Sequence, residues 1–250
     1  NDAASIPSLD YGNFRKWPLS WCTAFSVKNA TKLLPVSKHL INTKLKGPAR
    51  KMEANQGVAA FVKNPAHHEV IHNGFDSVFW KNVKEEKNKN LCVACATPDQ
   101  YYLKGIDLIE EVAPRFPQIQ FEIAGLQSDT FKQSKNGNVK YLPFFSREEL
   151  REKFSSAAYY LQLSRWEGFG CALCEAMLCE CVPIVSNVNM LPEIVGENGI
   201  VLQRLEAEEL DKALCKLFSH SQQTSFNVGI EARQYIVQKY SLAHRKQAML

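Results

Sequence analysis

From residue 90 onward, short apolar runs alternate with stretches whose apolar positions recur every three or four residues. The runs at 91–94, 119–124, 139–142, 158–163, 182–185 and 198–202 have the length and composition of buried strands. Between and after them, 104–112, 147–155, a segment opening near Phe169, 191–195, 206–218 and about 226–240 read as helices, the last of them final. Alternation of this kind predicts an α/β fold: a Rossmann-like, doubly wound parallel sheet with helices on both faces and ligands at the carboxyl ends of its strands.

The leading residues are patterned differently. Residues 1–12 read as a loop, 13–30 as mostly helical, 32–36 as a short apolar strand, and Ser37 as the cap of a helix over 38–45. Residues 46–68 are polar and irregular, and the His67-His68 pair reads as solvated because no partner ligands accompany it. Asn73-Gly74 is a turn signal, which sets a boundary near residue 74 between a leading region, 1–74, and a main domain, 75–250. The lysine-rich run 81–89 reads as a solvated surface, and no internal repeat or low-complexity segment interrupts the pattern.

Apolar residues make up 45% of the 250-residue chain and charged ones 22%, an ordinary globular balance with enough apolar side chains for a packed core. A net charge of +4 suits an anionic small ligand or loose contact with anionic lipid. Nucleic-acid binding would call for a concentrated basic stripe, and none is present. No run approaches the roughly 18 consecutive apolar residues of a membrane-spanning helix, and no charged-then-apolar signal opens the chain. Because the sequence starts at Asn1, a segment upstream is expected to have been removed. Eight cysteines include the CxxC pairs Cys92/Cys95 and Cys171/Cys174, with Cys179 and Cys181 close behind. They sit where helices and buried strands take small apolar residues, so packing is expected rather than zinc or disulfides. Unpaired thiols in turn fit a reducing cytoplasm, with association at most peripheral to a membrane.

Candidate chemistry concentrates in residues 164–185, SRWEGFGCALCEAMLCECVPIV. Gly168 and Gly170 follow a strand and open a helix, which lets a ligand approach backbone N–H groups at the helix's positive end. Glu175 lies eight residues after Glu167, one to two turns into that helix on the face of Cys171. An anion held at the turn would therefore leave the Glu175 carboxylate about one ribose away, where it can accept two adjacent hydroxyl hydrogens. Glu167 would address the group on the anion's other side.

Ser164, Arg165, Glu167 to Gly170, Glu175 to Met177, Val182 to Val185 and Leu191 to Val195 together resemble the Glu-x7-Glu signature of retaining GT-B glycosyltransferases of family 4. In that family the second domain reads S-R-x-E-G-F-G-x4-E-A-M and continues into a strand and an L-P-E-I-V helix. Val70 to Asp76 resembles its V-I-P-N-G-V-D interdomain linker, with His72 in place of proline, and the elements before it resemble the tail of the acceptor-side domain. Residues 1–74 would then be a C-terminal remnant of that domain plus the linker, without the strands that complete its sheet, and 75–250 the nucleotide-sugar-binding domain with its C-terminal helix. The resemblance implies a metal-independent hexosyl transfer from a nucleotide-diphosphate sugar to a saccharide or lipid-linked acceptor, in the setting of polysaccharide or glycolipid assembly. No Asp-x-Asp pair of the metal-dependent kind occurs, and no other cofactor is implied.

By the same resemblance, Glu167 is the catalytic carboxylate, with the Phe169-Gly170 backbone positioning the donor sugar. Glu175 holds the ribose, and Lys104 with the amides of Gly168, Phe169, Gly170 and Cys171 holds the diphosphate. The base would lie near the loop after 139–142. Two departures stand out. Lys104 and Gly105 match the family's lysine-glycine, but the preceding glycine-arginine has no counterpart in a loop that is longer than usual. Asn189 stands where Gly-Gly often precedes L-P-E, and is expected to narrow the loop facing the sugar, while Glu193 reads as a helix-start carboxylate. Two other readings are carried forward. One is a non-catalytic nucleotide-binding module, since the histidine contributed by the acceptor domain has no counterpart here. The other is a dinucleotide-dependent oxidoreductase, because Gly168-Phe-Gly170 mimics the start of G-x-G-x-x-G; Leu173 holds the third glycine position, and Ser186 stands where an acid should close the next strand.

Overall fold

The computed structural model describes residues 4–44, 55–219 and 222–250. Ahead of the main sheet, helices α1 (Leu19–Asn29) and α2 (Val58–Phe61) accompany a small antiparallel pair, β1 (Thr43–Lys44) with β2 (Asn55–Gln56). The leading region departs from its expected elements in four places, one of them being the segment 46–68, read as irregular, which holds β2 and α2 because residues 55–56 pair with 43–44. The helix expected from residue 13 starts at Leu19, after a separate 3-10 turn at Asn13–Arg15. The strand expected at 32–36 is an extended segment held to 67–71 by Leu33 N–H to His67 O (2.8 Å), Glu69 N–H to Leu33 O (3.0 Å) and Ile71 N–H to Pro35 O (3.0 Å). A strand exists only by virtue of its neighbours, and these bonds amount to one bridge rather than a ladder. The helix expected over 38–45 does not form either. Lys38–Leu40 makes one 3-10 turn, Thr43 pairs with Gln56, and the Ser37 hydroxyl donates to Gly168 O (2.8 Å) instead of capping; residue 45 itself lies outside the described residues, as do 46–54 of the segment read as irregular.

The main domain carries a six-stranded parallel sheet of β3 (Asn88–Cys95), β4 (Gln120–Ala124), β5 (Val139–Leu142), β6 (Ala157–Gln162), β7 (Val182–Ser186) and β8 (Ile200–Leu202). Their spatial order is β5-β4-β3-β6-β7-β8, the doubly wound arrangement expected from the alternation. Crossovers run through α3 (Ile106–Val112), α4 (Arg147–Ser156), α5 (Cys171–Leu178) and α6 (Leu191–Val195), and α7 (Ala207–Ser219) with α8 (Gln222–Lys239) follows the last strand. Alternate residues of each strand feed two cores. Val93 and Tyr160 pack with α4, α5 and α8 through Phe154, Leu173, Met177 and Ile236, while Ala94, Tyr159 and Leu161 pack with α3 and α7 through Ile106, Ile109, Leu210 and Leu214. Cys92, Cys174, Cys179 and Cys181 are buried within these cores as packing residues, whereas Cys171, also expected to pack, is exposed.

Two surface readings are corrected by tertiary contacts. Lys87 is not simply solvated: its ammonium donates to the carbonyls of Phe154 and Ala157, both at 2.8 Å, and so closes the end of α4. The chain also does not end with α8. Ser241 caps a further helix, α9 (Leu242–Ala248), whose sequence LAHRKQA lacks the apolar stripe that pattern reading requires. Phe75 N–H to Tyr240 O (2.8 Å) and Arg245 Nη1 to Asn73 Oδ1 (2.6 Å) bring the end of the chain back onto the linker.

Arg233 on α8 joins three elements, donating to the carbonyls of Trp80 (2.8 Å), Ser77 (2.9 Å) and Leu178. Charge-assisted bonds to main-chain carbonyls lose more than neutral ones when the donor is removed. Arg233→Met is expected to lower unfolding stability by about 3 kcal/mol, read as a shift of the urea midpoint at unchanged slope.

Candidate functional site at the sheet switch point

Strand order reverses between β3 and β6, so the chain leaves these two neighbours toward opposite faces and opens a crevice at their carboxyl ends. A cavity of about 400 Å³ occupies this crevice. The loops after β3, β4, β5 and β6 line it, and the leading region adds Val36, Leu40 and Asn73 from the far side. Of the residues singled out in the sequence, Lys104, Glu167, Gly168, Phe169 and Gly170 all line this one cavity.

Close backbone approach explains the glycines. Gly170 has φ 111° and is the N-cap of α5, where a Cβ would stand 2.9 Å from Leu191 Cδ2. Glycine cannot cap with a side chain, and no other side chain caps α5, so its first turn presents main-chain N–H groups next to the cavity. The Phe169 ring faces the other way. It is 3% exposed and packs against His72 (5.6 Å), Tyr240 (5.5 Å) and Phe75 (6.2 Å).

Glu167 is held from three directions. Its Oε2 accepts from Lys104 Nζ (2.6 Å), Gln162 Nε2 (2.8 Å) and Ser164 Oγ (3.2 Å). Gln162 is oriented in turn by Tyr160, whose hydroxyl donates to Gln162 Oε1 (2.8 Å). Sequence reasoning did not assign Gln162 a role; its signal is a polar residue, 4% exposed, inside an otherwise apolar strand. Lys104 comes from the long loop after β3. Gly105, at φ 70°, lets that loop press against β6, since a Cβ there would lie 2.2 Å from Leu163 O. Arg165 fastens the same loop by donating its main-chain N–H to Leu103 O (2.8 Å), and pairs bidentately with Asp107 at the start of α3, both bonds at 2.7 Å.

Glu175 stands apart. It is half-buried on the second turn of α5, behind the cavity-lining Cys171 and Ala172, and its carboxylate has no hydrogen-bond partner among the described residues. Burial pushes its pKa up to about 7, with the Arg147 guanidinium a weaker opposing influence. Asn189, expected to narrow the loop facing the sugar, is not among the residues that line the cavity. Its side chain turns back to donate from Nδ2 to Glu167 O (2.6 Å). Glu193 faces the leading region, 2.7 Å from Lys38 Nζ and 3.5 Å from His39 Nε2. His67 and His68 are exposed, and among the described residues no group of three His, Cys, Asp or Glu side chains could hold a metal ion. No described helix is long and apolar enough to cross a membrane.

Comparison with known proteins gives one consistent result. The model of the family described as glycosyl transferases group 1 matches residues 75–235. The O-antigen chain mannosyltransferase B of Escherichia coli is 33% identical over 96 residues, 36% of this chain and 25% of that protein. Among solved structures, sucrose-phosphate synthase from Thermosynechococcus elongatus superposes with a TM-score of 0.75 at 17% identity, over 94% of this chain and 61% of its own. Anabaena HepE in complex with UDP-glucose superposes with a TM-score of 0.72 at 16% identity, over 92% of this chain and 65% of its own. The chain thus shares the GT-B glycosyltransferase fold and spans only part of the length of the proteins it matches.

The raised pKa of Glu175 has a definite sign. Between pH 4.5 and about 7 the folded protein keeps a proton that the unfolded chain has lost, so the stabilising contribution of the neutral acid fades as pH rises through about 7. Glu175→Gln, which does not titrate, is expected to gain stability over the parent with rising pH, approaching about 3 kcal/mol above pH 8. Thermal melting of both proteins from pH 5 to 9 measures the difference.

Proposed function

The chain belongs to the glycosyl transferases group 1 family, and from that premise we propose that it carries the donor site of a retaining, metal-independent glycosyltransferase. The donor is a nucleotide-diphosphate sugar, and the acceptor is a saccharide or lipid-linked saccharide met in the cytoplasm or at the membrane surface. Residues 75–250 form the donor-binding domain in this reading. Residues 1–74 end the acceptor-side domain and supply the linker. The observation that carries the proposal is the Lys104–Glu167 pair lining the cavity beside the N-terminus of α5, at the switch point of the sheet, with Glu175 on the second turn of that helix.

Each residue then has a physical task. The diphosphate rests on the N–H groups of Gly168 to Cys171, where the helix dipole and unpaired donors favour negative charge. Lys104 has three N–H donors and spends one on Glu167, leaving two for phosphate oxygens and compensating for the absent glycine-arginine. With all three of its donors on Oε2, Glu167 keeps Oε1 for a hydroxyl of the sugar. Glu175, whose carboxylate has no hydrogen-bond partner among the described residues, accepts the two ribose hydroxyls. Phe144, 82% exposed at the cavity edge, offers a flat face to the base. As the bond between the anomeric carbon and the diphosphate oxygen breaks, Lys104 and the helix amides stabilise the charge gathering on the leaving group. The acceptor hydroxyl attacks from the same face, its oxygen bonding to the anomeric carbon while its proton passes to the departing diphosphate oxygen. The family match also removes the support for a nicotinamide enzyme, since the glycine turn is accounted for without one.

Calorimetric titration with UDP and with GDP, both in EDTA, tests this reading. One of the two is expected to bind without metal, and Glu175→Ala to weaken it by at least about tenfold, the loss of two hydrogen bonds to a carboxylate. Failure of both nucleotides to bind the folded protein would sink the proposal.

A further inference from the structure

We propose that Ser37 and Asn189 are positioning residues: from opposite flanks they pin the two peptide planes that follow Glu167, and so aim the N–H groups of Gly168 and Phe169 at the anionic part of the donor. The inference rests on the donor-site reading above. Asn189 Nδ2 donates to Glu167 O at 2.6 Å, and Ser37 Oγ donates to Gly168 O at 2.8 Å. These are consecutive carbonyls held by side chains from two parts of the chain more than 150 residues apart. Neither Ser37 nor Asn189 lines the cavity, whereas Gly168 and Phe169 both do.

The consequence follows from peptide geometry. In a trans peptide the C=O and the next N–H point in opposite directions within one plane, and both of these peptides are trans. A carbonyl turned back toward Asn189 therefore turns the Gly168 N–H forward, and a carbonyl turned back toward Ser37 does the same for the Phe169 N–H. Gly168 and Phe169 are buried, and neither N–H finds an acceptor among the described residues. Buried N–H groups without partners are rare in folded proteins. Two in a row, in the wall of a cavity and fixed from behind, have the form of a preorganised anion cradle.

Asn189 is better matched to this task than to a mere turn. Its φ of 50° is one that glycine adopts with less strain, so conformation alone does not call for a side chain there. Its amide is satisfied at both ends, because Oδ1 lies 3.5 Å from Thr43 Oγ1 while Nδ2 holds the Glu167 carbonyl. The opposite amide orientation would set two acceptors face to face. Ser37 is completely buried, and Thr43 belongs to the same leading region, so the leading region reaches the donor turn by two routes. Sealing that region against the main domain thereby shapes the anion site.

The test compares Ser37→Ala, Asn189→Gly and Asn189→Asp with the parent protein, titrating UDP or GDP, whichever binds, and the corresponding nucleoside. Glu175→Ala serves as the control and thermal melting verifies folding. Asn189→Gly keeps the backbone conformation accessible, and Asn189→Asp keeps the volume but removes the donor. Each is expected to weaken the nucleoside diphosphate about tenfold and leave the nucleoside within about twofold, because the cradle touches only phosphate. Equal losses for diphosphate and nucleoside would mean general disruption of the site and overturn the proposal. So would unchanged diphosphate affinity in the three variants while Glu175→Ala is impaired. Weakened clamp variants beside an intact Glu175→Ala would instead uphold the clamp and refute the ribose role of Glu175.

Discussion

The contact between Lys104 and Glu167 joins the two loops that flank the switch point, and most of the site depends on it. Side chains only 19% and 13% exposed would be costly to bring together if Coulomb attraction were their sole compensation. Gln162 and Ser164 offset the cost by giving the same carboxylate oxygen two further donors. The arrangement leaves one carboxylate oxygen and two ammonium hydrogens uncommitted, which is a concentrated set of opposite polarities at the mouth of a helix. Arg165 and Gly105 hold the Lys104 loop down, and Tyr160 orients Gln162, so the polar network is anchored in the sheet rather than on mobile loops.

The second wall of the site comes from the beginning and end of the chain. Val36 and Leu40 line the cavity, Ser37 reaches the Gly168 carbonyl, and His72 Nδ1 lies 2.9 Å from the Val36 carbonyl while its ring packs on Phe169. Tyr240 packs on the same phenylalanine, and α9 returns to the linker through Arg245. Phe169 therefore serves as a hub. Its ring ties linker and C-terminal segment together in an aromatic cluster, and the residue lines the cavity. Movement of the leading region relative to the sheet would be felt at the glycine turn before α5 through these contacts.

Much of this was legible in the chain itself. Apolar runs separated by amphipathic stretches require a doubly wound sheet because each strand must be covered on both faces, and every strand from β3 to β8 lies where its run predicted, to within a few residues. Glycines at 105, 168 and 170 marked the places where backbone must come close to something, and Glu167, Glu175 and Lys104 marked the charges around it. Where prediction failed, the missing information was a partner distant in sequence. Residues 32–36 had strand character but only one extended neighbour, Ser37 had a capping residue's chemistry but a better acceptor 131 residues away, and Lys87 found two carbonyls instead of water.

The sequence by itself determined the fold class, the place of the glycine turn that opens α5 and the identity of the charged groups around it, because these follow from local periodicity and from residue chemistry at short spacing. Tertiary structure alone decided which donors meet on Glu167 Oε2, that the Glu175 carboxylate has no hydrogen-bond partner among the described residues and is driven toward neutrality, and that Asn189 holds the Glu167 carbonyl. Each of those outcomes depends on burial and on the distance between side chains far apart in the chain, and no pattern of neighbouring residues encodes either quantity.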